Sequence, residues 1–312
     1  MEQAAGSLLA IAILMVAGYV LAKRGWLGER AVEGLKKLIT NLTLPLLLFR
    51  TFLQLRPDGR NVLLAAGIFV ACAVMGLLGA LLSRLAHTPK PETRLLFQGF
   101  EAGMLGYALY AGYHGSEHLP SFAALDMGQV IYVFTVLMVQ MSMGTDVHSG
   151  ENGGKPKFPW RDIANSKVLW AIGGGILLSL LAPGFSEVLA VRSNLTRAVF
   201  DMVGGLTTPL VCLVIGASLS AGIVVDKYLV RVVAARVVVA VGIGTVFAYL
   251  IVPALGFSEW HMRAAMMLFI LPPPFVIPVY HKGNAQFVGS VLTLSTLVSV
   301  VLIAVLAIAG VA

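Results

Sequence analysis

Charge is scarce in this 312-residue chain. Only 12% of its residues are Asp, Glu, Lys or Arg and 58% are hydrophobic, whereas an ordinary soluble domain is about 25% charged. With a mean hydropathy of +0.88, the chain has too little polar surface to cover a water-soluble fold, so its solvent is lipid. Cysteine is nearly absent. Cys72 and Cys212 lie inside apolar runs, which excludes a disulfide framework and a thiolate metal centre. A basic leader is missing too. Gln3–Ala22 is an uncharged run of 20 residues, long enough to span a bilayer, and is expected to be a retained helix and not a cleaved signal. No nucleophile elbow, phosphate loop or zinc-protease motif occurs, so no enzyme and no resident cofactor are expected. The net charge of +7 sits in short clusters between apolar runs. That is the pattern of membrane topology and excludes a nucleic-acid surface.

What is present is a series of apolar runs of spanning length. Ten spans are expected at roughly 4–23, 31–52, 61–84, 94–114, 119–143, 166–184, 195–219, 226–252, 260–281 and 285–310. The polar, Gly-rich stretch Gly144–Asp162 is the one long linker, near the middle of the chain. The expected organisation is a first five-helix unit over 1–143, a cytoplasmic linker over 144–165 and a second unit over 166–312. One set of loops collects Lys23, Arg24, Lys36, Lys37, Arg84, Lys90, Lys155, Lys157, Arg161, Lys227 and Lys282. It should face the cytoplasm of a plasma membrane, with both termini outside.

The two units resemble each other at an offset of about 164 residues: Leu42-Thr-Leu-Pro45 falls on Leu206-Thr-Thr-Pro209. Tyr113-His114 falls near Tyr280-His281 at an offset of 167. An odd number of spans per unit inserts the second unit upside down, and inverted repeats are a transporter device whose site lies where helices are interrupted near the midplane. The matched interruptions are Glu101-Ala-Gly103-Met-Leu-Gly106 in the fourth span and Pro272-Pro273-Pro274 in the ninth. Consecutive prolines cannot continue a helix, because each lacks an amide donor and restricts its predecessor.

Asn41-Leu-Thr-Leu-Pro45-Leu-Leu-Leu-Phe, Pro209-Leu-Val-Cys-Leu-Val-Ile-Gly-Ala-Ser-Leu219, Gly103-Met-Leu-Gly106 and Leu292-Thr-Leu-Ser-Thr-Leu-Val-Ser299 occur in order along the chain. In these stretches the sequence resembles the auxin efflux carrier (PIN-like) transporters, a family related to the bile acid/sodium symporters. The resemblance implies an all-α membrane protein of ten helices in two inverted five-helix repeats. Helices 4 and 9 would be broken and crossing, a scaffold of helices 1, 2, 6 and 7 would stand still, and the remainder would move as in an elevator. It implies a secondary active transporter, an ion-coupled symporter or an exchanger, for a small organic anion or carboxylate. Two positions depart from the family pattern: Glu101 stands where Asn is usual, and Ala108 where Pro is usual.

The candidate substrate- and ion-binding residues are Asn41, Glu101, Gly103, Gly106, Asp201, Thr208 and Pro272–Pro274, with Pro45 and Pro209 as structural breaks. A carboxylate near the centre of a span is costly, so Glu101 reads as a proton carrier or ligand, or as a protonated group bonded to a neighbouring helix. The coupling ion would be a proton or sodium. Asp201 follows Arg197 by four residues, a helical ion-pair spacing. Asp126 lies where an interfacial position competes with function. Arg236 precedes 22 uncharged residues and is expected to snorkel to the cytoplasmic interface. Thr43 and Thr207 flank the paired prolines as helix stabilisers or cation ligands. His114 and His118 beside Glu117 give only a weak metal spacing, and no metal is expected. Gly173-Gly174-Gly175 offers a close-packing surface, either for a homodimer or within the protomer. The rival reading is a membrane sensor that keeps the transporter fold without moving solute.

Overall fold

The computed structural model describes residues 2–54, 58–85, 90, 92–141, 167–181, 194–220, 226–277 and 284–308. The linker over 144–165 and the Tyr280-His281 pair lie outside the described residues. Every regular element among the described residues is helical: α1 Glu2–Lys23, α2 Glu29–Leu38, α3 Leu44–Gln54, α4 Gly59–Leu85, α5 Glu92–Phe97, α6 Tyr107–His114, α7 Leu119–Tyr132, α8 Lys167–Leu181, α9 Asn194–Gly205, α10 Thr207–Leu219, α11 Lys227–Val246, α12 Glu259–Ile270 and α13 Ala285–Ile308. Among the described residues, five continuous helices are long and apolar enough to cross a membrane: Gly59–Leu85, Ser116–Met141, Ala198–Ala217, Lys227–Ala254 and Gln286–Leu306. Leu63, Leu77, Val238, Leu250 and Val301 on these helices are exposed, as expected where the surrounding solvent is hydrocarbon.

The two paired prolines are accommodated differently. Ahead of Pro45 the helix widens into a π turn, Ile39–Thr43, one of the few devices that absorbs a missing amide donor without ending the helix. Pro209 sits in the first turn of α10, where the missing donor would be unpaired anyway. The Leu-Thr-x-Pro repeat thus marks one bulge and one helix start.

Helices of the two halves interlock. α1 packs along α10, and α3 along α8. Backbones touch at the first seam: a Cβ on Gly18 would collide with the Leu213 carbonyl, and one on Gly216 with the Met15 carbonyl. The second seam has Gly175 on α8, where a Cβ would lie 2.7 Å from the Phe49 carbonyl oxygen of α3. Small residues that admit such approach are how membrane helices gain contact where no hydrophobic force drives them together. The remaining helices cluster as α4 with α5 and α7, and α11 with α12 and α13. A third close seam joins α4 and α7 at Gly128, whose Cβ would strike the Ala65 carbonyl.

Candidate functional site

The segment expected as the fourth span is interrupted between α5 and the π turn Ala102–Gly106. Residues 98–101 are non-helical. Gly99 adopts φ +67°, a left-handed conformation that a side chain strains. A Cβ there would lie 2.8 Å from Val133 Cγ2 and 2.9 Å from Pro274 Cγ. The break therefore falls just ahead of the Gly103–Gly106 stretch, and it needs no proline: Ala108 is buried and helical within α6. The ninth span stops at Ile270, Leu271 turns extended, and Pro272–Pro274 carry the chain across without helix.

The two interruptions meet. The Glu101 amide donates to the Pro272 carbonyl at 2.8 Å, and the Phe275 amide donates to the Glu101 carboxylate. A Cβ on Gly106 would lie 2.7 Å from Leu271 Cδ1. Backbone groups freed by one break are thus satisfied by the other, as apolar surroundings require.

Arg236 completes the crossing, and its position corrects the sequence reading. It does not snorkel. It is 2% exposed, donating through Nη1 to the carbonyls of Leu96 (2.9 Å) and Phe97 (2.7 Å) and through Nη2 to Gly99 (2.8 Å) and Leu271 (3.4 Å). The guanidinium also lies over the Phe100 ring, 5.4 Å from its centroid. Helices α5 and α12 both end here with carbonyls that have no helical partner, and one forked cation caps both. Ser299 adds a donor to the Ile270 carbonyl at 2.6 Å. The signal was legible from the other side: Arg236 is nine residues past Lys227, about 13 Å along a helix.

A second buried polar group reaches the crossing from α7. Asp126 is 1% exposed, so it is enclosed by protein and does not face an aqueous interface directly. It accepts from the Tyr107 hydroxyl at 3.0 Å and from the Gln129 amide at 3.0 Å. Gln129 in turn accepts the Phe100 amide at 3.2 Å. Further along, Tyr132 donates to Gln98 at 2.6 Å and Gln98 donates to Gln140 at 2.8 Å.

Of the residues singled out in the sequence, Glu101, Gly103, Gly106 and Pro272–Pro274 come together here. Thr208 adjoins the second half of the fourth span, its hydroxyl donating to the Ala108 carbonyl at 3.2 Å. Asn41 is exposed and donates to the Lys37 carbonyl of its own helix at 2.8 Å. Asp201 is half-exposed and pairs with Arg50 of α3, across the two halves. Thr43 and Thr207 are fully buried with hydroxyls that lack a hydrogen-bond partner among the described residues. The His118 ring stacks on Trp260 with centroids 3.4 Å apart, and among the described residues no group of three or more His, Cys, Asp or Glu is placed to hold a metal.

Residues 4–154 match the family model described as "Membrane transport protein". Over 310 residues the chain is 24% identical to an "Uncharacterized transporter" of Methanothermobacter thermautotrophicus, covering 95% of this chain and 94% of that one. These matches bear out the transport family indicated by the sequence motifs.

Proposed function

For a chain whose residues 4–154 match the membrane transport model and which is similar to an uncharacterized transporter along its length, we propose a secondary transporter that carries a small organic anion by alternating access, with the solute bound against the crossing of the fourth and ninth spans. The observation that carries this reading is the backbone bond from Glu101 to Pro272. Two interrupted helices that satisfy each other's main chain leave helix termini and loose backbone at one place, which is where inverted-repeat carriers hold solute and coupling ion. The pairing of α1 with α10 and α3 with α8 supports a two-unit scaffold, since exchanging the corresponding helices of the two units converts one pair into the other.

The Phe275 amide supplies the anion-attracting group. Glu101 already accepts from it, so an anionic solute competes with the protein's own carboxylate. Gly103 keeps the neighbouring wall low: a Cβ there would find nothing nearer than Glu101 Oε1 at 3.7 Å and Leu44 Cδ2 at 3.8 Å. The Lys- and Arg-rich loops would face the cytoplasm.

The test is uptake of labelled small carboxylates into proteoliposomes under imposed proton or sodium gradients. Accumulation that collapses when the gradient is dissipated, or counterflow against preloaded solute, is expected. A folded protein that moves no member of the panel by either route would overturn the transporter reading and leave the sensor in its place.

A further inference from the structure

We propose that Asp126, and not Glu101, is the residue that takes up and releases the coupling proton. The inference rests on the transporter reading above. The described residues contain three buried carboxylates: Glu92 (6% exposed), Glu101 (8%) and Asp126 (1%). The first two are engaged by fixed main-chain donors, the Asn284 amide on Glu92 and the Phe275 amide on Glu101. A main-chain N–H cannot turn round to accept, so it can only donate to the carboxyl group it meets. Asp126 is bonded instead by a hydroxyl and an amide side chain. A hydroxyl can reverse from donor to acceptor, and a carboxamide can present its oxygen. This pair can serve the carboxylate and the carboxylic acid alike.

The charged neighbours leave a proton as the neutralising ligand. On its own helix Asp126 has Gln129, on α6 Tyr107, and on α4 the Cys72 thiol. Arg50 of α3 is engaged with Asp201. On α12, Arg263 is engaged with Glu259, and His261 bonds Ser258. In the turn before α7, His118 stacks on Trp260 beside Glu117. Arg236 is enclosed by the carbonyls of the crossing. None of these cations forms an ion pair with Asp126 among the described residues. Sodium would need several oxygen ligands at once, and the Gln129 oxygen is already taken by the Phe100 amide.

The proton also has a route to the solute site. A protonated Asp126 has a donor to place and one acceptor fewer. Its partner Gln129 holds the Phe100 amide, next in sequence to Glu101. Re-pairing Gln129 therefore changes the bonding of the crossing itself.

The test is infrared titration of the full chain in proteoliposomes, with aspartate labelled at the side-chain carbonyl carbon. A protonated-carboxyl band is expected that responds to pH, shifts with the label, disappears in Asp126→Asn and persists in Glu101→Gln. Tyr107→Phe should change its proton affinity about tenfold. No label-sensitive band anywhere from about pH 5.5 to 10, above the range in which exposed aspartates protonate, would overturn the assignment, as would a band in that range that survives Asp126→Asn. If Asp126→Asn does not fold, Tyr107→Phe decides: a label-sensitive band whose midpoint it leaves unmoved is not Asp126. Solute accumulation indifferent to an imposed pH gradient would overturn the coupling role even with the band present. Because the infrared measurement needs no solute, its outcome is independent of whether any tested carboxylate is carried.

Discussion

Arg236 donates a 2.7 Å hydrogen bond to the carbonyl of Phe97, so a helix that ends at the crossing is closed by a side chain from 139 residues away. Main-chain carbonyls in hydrocarbon must find donors; Gln98 serves those of Arg94 and Leu95, and Arg236 serves those of Leu96 and Phe97. Arg236→Met should therefore strand several carbonyls at once. We expect a loss of about 3–5 kcal/mol, the scale of removing one partner from a buried charged contact, read as a collapse of the monodisperse peak in detergent. Arg236→Lys keeps the charge but not the fork and should fall between the two.

Gly99 and Gly103 make a controlled pair. Gly99→Ala faces both a left-handed backbone and carbon atoms at 2.8 and 2.9 Å, and should cost about 1–3 kcal/mol. Gly103→Ala meets only ordinary contacts, at 3.7 and 3.8 Å, and should leave the melting temperature within a degree or two. A thermal-shift comparison separates them. If Gly103→Ala then raises the KM for solute at unchanged stability, the space over Gly103 is solute space.

Glu101→Gln should fold, because an amide oxygen can still accept from Phe275. Removing the competing carboxylate should lower the KM for an anionic solute several-fold while gradient-driven accumulation survives. Glu101→Ala, which leaves the Phe275 amide without this acceptor, should lose about 1–3 kcal/mol of stability. Loss of accumulation in the glutamine variant, with exchange intact, would return the proton to Glu101.

Thr43 and Thr207 bury hydroxyls without partners among the described residues, at 0% exposure each. Such groups cost free energy that a methyl group does not, so Thr43→Val and Thr207→Val should be neutral or stabilising by up to about 1 kcal/mol. A sharp loss of flux at undiminished thermal stability would instead identify these hydroxyls as ligands.

The sequence carried the interruptions well and the capping poorly. Pro272–Pro274 announces a break because proline chemistry is local: the missing donor and the fixed φ need no knowledge of neighbours. The interruption in the fourth span was placed at Glu101–Gly106, whereas the helix already stops before Gln98, because a glycine's backbone conformation is chosen by tertiary contacts, here those of Gly99 with Val133 and Pro274. Arg236 and Asp126 were misplaced for a related reason. An apolar run of 22 residues after Arg236 says that the helix could cross without it, but not that carbonyls from another helix need it. Asp126 looks interfacial until α6 brings Tyr107 to it. Asn41 bonds within its own helix and Asp201 pairs with Arg50 across the two halves, contacts that a polar residue in an apolar run does not announce.

The seam of α1 and α10, where Gly18 and Gly216 admit carbonyls into direct contact, means that neither half of the chain owns a finished wall. Each contributes one member of a pair that the other must complete. A gene cut within the linker should therefore yield two fragments that are insoluble or degraded apart and that assemble when made together. A bulky residue at position 18 or 216 should block that reunion more severely than one on any lipid-facing position.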